Sequence, residues 1–333
     1  MSIVAGVDIG GTKCAVSIGH VEEVATADTR VLARRRFPTP ASPHDAITRI
    51  RADLDRLLAE HAVDSPVAIG ISCGGPLDSA TGLILSPPNL PGWDRIDVVS
   101  PLRDHFNVPV GLQNDANAGA LAEWRWGAGR GCRTMVYLTF GTGMGAGLIL
   151  DGRLYEGANG LAGEVGHVRV APDGPVGYGK AGSFEGFCSG GGVANLARTM
   201  AASHLRAGGI SLYCATPGDL SDVTAEMVGI AARQGDLLAL DVFRIVGRRL
   251  GQGLALLIDI LNPERIVIGS IYGRQRSLLE PIVLEEVRRE ALPQALSVCL
   301  IQPAGLGDQV GDMASLAVAL SVATTRGDGQ GRI

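Results

Sequence analysis

Lysine is almost missing from this chain: of its 29 basic residues only Lys13 and Lys180 are lysines, so any lysine-dependent phosphate chemistry has to use one of those two. Cysteine is sparse as well. Cys14, Cys73, Cys132, Cys188, Cys214 and Cys299 stand singly, without a CxxC pair, which excludes a disulfide framework and suggests reduced thiols in a cytoplasm. No uninterrupted apolar run reaches the length of a membrane span, and "MSIVAGVDIGG" lacks the basic start and long apolar stretch of an export signal, so no membrane partner is expected. Positive charge is not in excess either. A net charge of -5 gives no electrostatic reason to expect a nucleic acid. No GxxxxGK[ST] occurs anywhere, which excludes a P-loop NTPase.

What is present suits two α/β domains sharing a cleft: 333 residues, 46% hydrophobic and 19% charged. "IVAGVDIGGTKCAVSIG" reads as two apolar strands around a Gly10-Gly11-Thr12 turn. A polar, arginine-rich segment follows, then helical spacing in "HDAITRIRADLDRLLAEH", a strand "VAIGIS", a strand "VPVGLQ" and a capped helix "NDANAGALAEWRWGAG". Strands alternating with helices argue an α/β architecture. From Cys132 a second strand, glycine turn and strand, "RTMVYLTF", "GTGMG" and "AGLILDG", echo the first and hint at a duplicated core. Helices, a strand "RIVIGS" and a last amphipathic segment "DQVGDMASLAVALSVA" complete the chain.

Several residues could carry chemistry. Asp8 is a carboxylate inside an apolar strand, costly unless hydrogen-bonded or facing a cation, and the glycines after it let backbone N–H groups and the Thr12 hydroxyl cradle phosphate oxygens. An ordinary hairpin turn explains the same stretch equally well. "GTGMGAG" offers a second such loop and fits GxGxxA, but "GLILDG" continues as a strand where a dinucleotide fingerprint needs a helix. Asp115 ends an apolar strand where open α/β sheets place ligands, although Asn114 and Asp115 are both good helix caps. Glu164 and His167 could ligate a metal from one helix face, but the surrounding glycines favour a loop. Asn89 and Glu185 read as loop residues on their own.

Together these stretches resemble the ROK family of sugar kinases and repressors. The matching segments are "DIGGTK" from Asp8, "GGPLD…TG…PNLPGW" from Gly74, "NDANAGALAEW" from Asn114, "FGTGMGAGLILDGRLYEGANGLAGEVGH" from Phe140 and "LNPERIVIGS" from Leu261, in order along nearly the whole chain. The resemblance implies an actin-like ATPase (RNase H-like) fold: two α/β domains with a central cleft for nucleotide and sugar. An N-terminal domain of 1–115, completed by a C-terminal helix at about 307–324, a larger domain of 116–306 and a disordered tail of 325–333 are expected.

The family pattern makes Asp115 the catalytic base, sets Asp8, Gly10, Gly11, Thr12 and Lys13 against the ATP phosphates and Mg2+, and makes Gly141, Thr142 and Gly143 the second phosphate loop, with Gly269 also on the nucleotide side. Gly75, Asn89, Asn114, Asp115, Glu164, His167 and Glu185 would meet the sugar. The implied reaction is ATP-dependent phosphorylation of a hexose, glucose to glucose 6-phosphate first among them, by a cytoplasmic homodimer. N-acetylmannosamine, N-acetylglucosamine, allose and fructose are alternative acceptors, and a non-catalytic sugar sensor is another reading. A repressor would need a winged-helix domain, and the chain starts on the Asp8 strand. A hydrolase built on Glu164 and His167 has no further histidine or cysteine at ligand spacing.

Two departures stand out. Where many members carry a CxCGxxGCxE zinc motif, this chain has "VGYGKAGSFE", with Val176, Tyr178 and Ser183 at the cysteine positions. The glycine pair frequent after the last strand is Gly269-Ser270, which bears on the adenosine pocket. Three thiolate ligands are lost, so metal analysis of the purified protein is expected to find no stoichiometric zinc. One tightly bound zinc per chain would contradict that reading.

Overall fold

The computed structural model describes residues 2–21 and 29–328, and no helix among them is long and apolar enough to cross a membrane. They form two compact units: Met1–Gly131 with Leu154–Ala162 and Gly305–Ile333, and Cys132–Arg153 with Gly163–Ala304.

In the first unit the sheet runs in the order Thr29–Pro38, Lys13–Val21, Ser2–Ile9, Ile69–Cys73, Val110–Asn114. The first three strands pair antiparallel and the last three parallel. The arginine-rich segment is thus the edge strand Thr29–Pro38, a position where charged side chains are tolerated and discourage further pairing. One sheet face packs Val7, Ile9, Val16, Ile18, Ile69 and Ile71 against Ile50, Leu54, Leu57 and Leu58 of helix Pro43–Glu60.

The other face carries a row of glycines. Gly6 stands opposite Gly70, and Gly70 opposite Gly111, so three strands present bare backbone at one level. Helix Val310–Asp328 lies on that row through Ser315, Ala319 and Val322, one stripe at helical spacing. A Cβ on Gly70 would collide with the carbonyl of Ser315 and the amide of Ala319, and one on Gly111 would come within 2.6 Å of a Val322 methyl. Leu316, Ala317, Val318 and Leu320 are also fully covered, as expected of a helix apolar on all sides.

The second unit repeats the pattern. Strand Met135–Phe140 pairs antiparallel with Met144–Leu150 and parallel with Arg265–Ile268, which pairs parallel with Leu300–Pro303. The first unit has the same succession from Ser2–Ile9 through Lys13–Val21, Ile69–Cys73 and Val110–Asn114, so the echo between the two glycine turns extends to strand order. This is the duplicated α/β core of the actin-like ATPase fold. Helix Leu237–Leu261 starts on an Asp236 cap, ends at Asn262 in the left-handed region, and buries Val242, Val246, Leu250 and Leu254.

The units divide after Gly131 rather than after Asp115, and a hydrogen-bonded carboxylate explains why. Glu123, fully buried on helix Asp115–Trp126, accepts the backbone N–H groups of Ala128 at 2.7 Å, Gly305 at 3.0 Å and Leu306 at 2.9 Å. That ties the helix, the turn after it and the entry to Val310–Asp328 into one unit. The expected tail from 325 is still helical through Asp328, and 329–333 lie outside the described residues.

Gly70→Ala would force helix Val310–Asp328 off the sheet, since the obstructing atoms are backbone and cannot rotate away. We expect a lower unfolding midpoint and a loss of about 1–3 kcal/mol in thermal or denaturant unfolding; an unchanged midpoint would show that the glycine row does not seat the helix.

Candidate active site

Within the first unit, strand register gathers the polar residues at one sheet edge. Ile9, Cys73 and Asn114 are level across the three parallel strands, so the Gly10-Gly11-Thr12 turn, Gly74-Gly75 and Asp115 all follow at the carboxyl ends. The turn is closed by Gly10 N–H donating to the Lys13 carbonyl at 3.1 Å. Asn89 sits on it: a Cβ at Gly11 would lie 2.9 Å from that of Asn89, and one at Gly74 would be 3.5 Å from the Asn89 amide nitrogen. Thr12, Lys13, Gly75 and Asn89 are exposed.

The rivalry between the two possible caps resolves in favour of Asn114. Its Oδ1 accepts the Asn117 N–H at 2.7 Å, which makes it the cap and leaves the Asp115 carboxylate in the first helical turn for other partners. Asp115 keeps surface open to water but is hemmed in densely by protein, and this desolvation pushes its pKa up against the opposing pull of nearby backbone N–H groups. Asp8 shows the same effect more plainly. Burial, then the negative charges of Asp312 and Asp115, push it up from 3.8 to about 6, with Lys13 and Arg36 acting in opposition.

Asp312 is a residue the sequence did not single out. It begins helix Val310–Asp328, is 5% exposed, and accepts from Arg34 at 2.6 Å and Arg36 at 3.3 Å. A second unforeseen group bonds to the strand that precedes Asp115. Glu156 Oε1 accepts from Ser79 at 2.9 Å and from the Gln113 amide at 2.8 Å, and Gln113 Oε1 accepts from Asn117 at 3.1 Å. This network fastens segment Leu154–Ala162 to the strand end that carries Asp115. The run of amides in "QNDANAG" was its only trace in the sequence.

In the second unit the loop Gly141-Thr142-Gly143 joins Met135–Phe140 to Met144–Leu150, and Gly141 N–H donates to the Gly143 carbonyl at 3.1 Å. Helix Gly190–Arg206 begins beside it, capped by Ser189, with Gly190 N–H donating to the Gly141 carbonyl at 2.7 Å. A helix N-terminus next to a glycine loop is a ready place for phosphate. Gly269 is buried, its N–H on the Leu138 carbonyl at 2.9 Å, and Ser270 adopts φ 57°, a conformation glycine would hold with less strain.

Glu164 and His167 are exposed and flank the 3-10 turn Val165–His167, so the pair rides on a tight turn rather than an α-helix. Gly166 is wedged between strand and acid: a Cβ there would collide with the Met144 carbonyl and lie 3.2 Å from the Glu185 Cβ. Glu185 Oε2 accepts the Met144 N–H at 3.1 Å, directly after the glycine loop. The three positions of the expected zinc motif offer no thiolate, and the Ser183 hydroxyl is occupied by the Gly186 N–H and the Gly177 carbonyl. Among the described residues no three histidine, cysteine or acidic side chains stand where they could share a metal.

The ROK family sequence profile matches residues 4–321. The chain belongs to the ROK family. A glucokinase from Halalkalibacterium halodurans is 33% identical over 312 residues, covering 92% of this chain and 91% of that one. An N-acetylmannosamine kinase from Escherichia coli is 31% identical, covering 89% and 91%. The solved structure of a ROK family glucokinase from Streptomyces griseus in complex with glucose and AMPPNP has a TM-score of 0.74 at 30% identity, covering 96% of this chain and 100% of that one.

The acidic group in this ROK protein has a measurable consequence for stability. Asp8 holds its proton more tightly folded than unfolded, so its ionisation costs the folded state stability as pH rises from about 4 through about 6. Asp8→Asn is expected to raise the unfolding midpoint of the ligand-free protein at pH 7, with the gain shrinking toward zero below pH 4. A gain that is the same at every pH would contradict the electrostatic account.

Proposed function

We propose that this ATP-dependent sugar kinase transfers the γ-phosphoryl group of ATP to the 6-hydroxyl of glucose, giving glucose 6-phosphate, with Asp115 as general base. The observation that carries the proposal is the division of labour at the start of helix Asp115–Trp126: Asn114 caps the helix, and Asp115 is left with a raised pKa and water-accessible surface. A base poised upward from the ordinary carboxylate range takes a hydroxyl proton more readily at neutral pH. Asp115 accepts that proton as the sugar oxygen bonds to the γ-phosphorus and the bond to the β,γ-bridging oxygen breaks, with ADP leaving.

The remaining residues position groups and balance charge, which is most of what phosphoryl transfer asks of a protein. Gly10, Gly11, Thr12 and Lys13 on one unit, and Gly141, Thr142 and Gly143 with the N-terminus of Gly190–Arg206 on the other, suit phosphate oxygens. Gly269 belongs with the nucleotide. Mg2+ fits the donors at Asp8, whose carboxylate is desolvated and crowded by like charge, and when bound it would neutralise charge on the triphosphate. Gly75, Asn89, Asn114, Glu164, His167 and Glu185 supply donors and acceptors for sugar hydroxyls, and a sugar lacking one of those hydroxyls leaves a partner unsatisfied. Absence of a structural zinc is part of the same reading. Magnesium dependence, a homodimeric state, a cytoplasmic location and a role in glycolysis are carried by family membership.

The likeness to an N-acetylmannosamine kinase favours an amino sugar as the second acceptor class. A coupled ADP-release assay over glucose, N-acetylmannosamine, N-acetylglucosamine, allose and fructose distinguishes them, and glucose is expected to give the highest kcat/KM. A higher value for an amino sugar would reassign the acceptor, and no stimulation by any sugar would overturn the kinase reading.

A further inference from the structure

The hairpin Val176–Ala181 directs two side chains at His167. Val176–Gly177 and Lys180–Ala181 pair antiparallel with Gly177 opposite Lys180, so Tyr178 and Gly179 alone make the turn. Both have positive φ, 45° at Tyr178 and 74° at Gly179. This is the two-residue primed turn whose first position suits asparagine, aspartate or glycine. A tyrosine there is strained by its own Cβ. Burial does not offset the strain, because Tyr178 is 76% exposed. Its ring instead meets the His167 imidazole, with centroids 6.2 Å apart and planes at 78°.

Lys180, from the other arm of the same hairpin, donates from Nζ to the His167 backbone carbonyl at 2.7 Å. The base of the hairpin is fixed as well. A Cβ on Gly177 would lie 2.5 Å from the Gly186 amide nitrogen and 2.8 Å from Ser183 Oγ, so this arm rests on the backbone that carries Glu185. Gly182 N–H adds a bond to the Pro175 carbonyl at 3.1 Å. The hairpin is therefore a strut between the backbone of Glu185 and the ring and carbonyl of His167.

We propose that Tyr178 is a positioning residue for His167: its edge-to-face contact holds the imidazole in the orientation that meets the sugar, while Lys180 holds the backbone beneath it. The inference rests on the reading of His167 as a sugar-binding residue. An unfavourable backbone conformation kept at an exposed aromatic, with one ring contact on a candidate ligand group, is the pattern of strain retained for function. Aromatic pairs select an angle between their planes, and an edge-to-face pair resists rotation of the histidine about its side-chain bonds.

Tyr178→Asn gives the turn a residue it prefers and deletes the ring, whereas Tyr178→Phe keeps the ring. Both are compared with the unaltered full chain in thermal unfolding and in steady-state kinetics with glucose, or with whichever sugar of the panel gives the higher turnover. For Tyr178→Asn the unfolding midpoint is expected to stay level or rise, KM for the sugar to rise about five- to tenfold, and kcat to stay within about twofold. Tyr178→Phe should match the unaltered protein. A KM unchanged in Tyr178→Asn, a midpoint that falls together with kcat, or a Tyr178→Phe variant as impaired as Tyr178→Asn would each overturn the inference. His167→Ala separates the two levels: if it raises KM and Tyr178→Asn does not, the positioning role alone fails. If His167→Ala leaves KM unchanged, the sugar-binding reading of His167 fails and takes the inference with it.

Discussion

Helix Val310–Asp328 lies on the bare backbone of Gly6, Gly70 and Gly111, and the acidic end of the first unit depends on that seat. Close approach brings the N-terminal end of the helix over the sheet edge, where a Cβ on Gly311 would stand 3.6 Å from Asp8 Oδ2. It also sets Asp312 near Asp8, whose pKa is raised first by burial and then by the negative charge of Asp312. Arg34 and Arg36 from the edge strand offset part of that charge through Asp312. Gathering buried acidic groups in this way is costly to the folded protein.

The second unit solves a similar problem with shorter pieces. Its polar residues sit on a 3-10 turn, a four-residue helix and a glycine loop, none of which is stable alone. They are held by backbone contact and by hydrogen bonds from side chain to backbone: Gly166 against Met144, Glu185 on the Met144 N–H, Ser183 capping the helix that bears Glu185. Where the family motif would place thiolates, this chain has a strained tyrosine and a capping serine. The His167 backbone carbonyl accepts from Lys180, one of the two lysines in the chain.

Much of this was legible in the sequence because it rests on local patterns. Both hairpins, the strand ending in Asn114 and the long helices follow from apolar periodicity and glycine turns. The edge strand Thr29–Pro38 was not legible, since its arginines mask the alternation, and two of them, Arg34 and Arg36, pair with Asp312 on a helix some 280 residues away. The glycine row was equally hidden. Gly6, Gly70 and Gly111 are unremarked singly, and only strand register aligns them. Asn114 and Asp115 were equivalent caps by residue type, and only the backbone angles of Asn114, extended at φ -69° and ψ 159°, decide which one caps. Asp312 and Glu156 gave no signal beyond an acid in a helix start and an acid in a loop, because their partners come from distant segments.

Asn114 caps the helix and spares the carboxylate of Asp115, which we propose takes the sugar hydroxyl proton. Asp115→Asn preserves the shape of the helix start and removes the base. Calorimetric sugar binding to this variant, measured beside its turnover, tests the claim directly: binding is expected to persist while kcat falls by about 10²- to 10⁴-fold, the range attributed to a positioned general base. Turnover within a few-fold of the unaltered enzyme would contradict the assignment of Asp115.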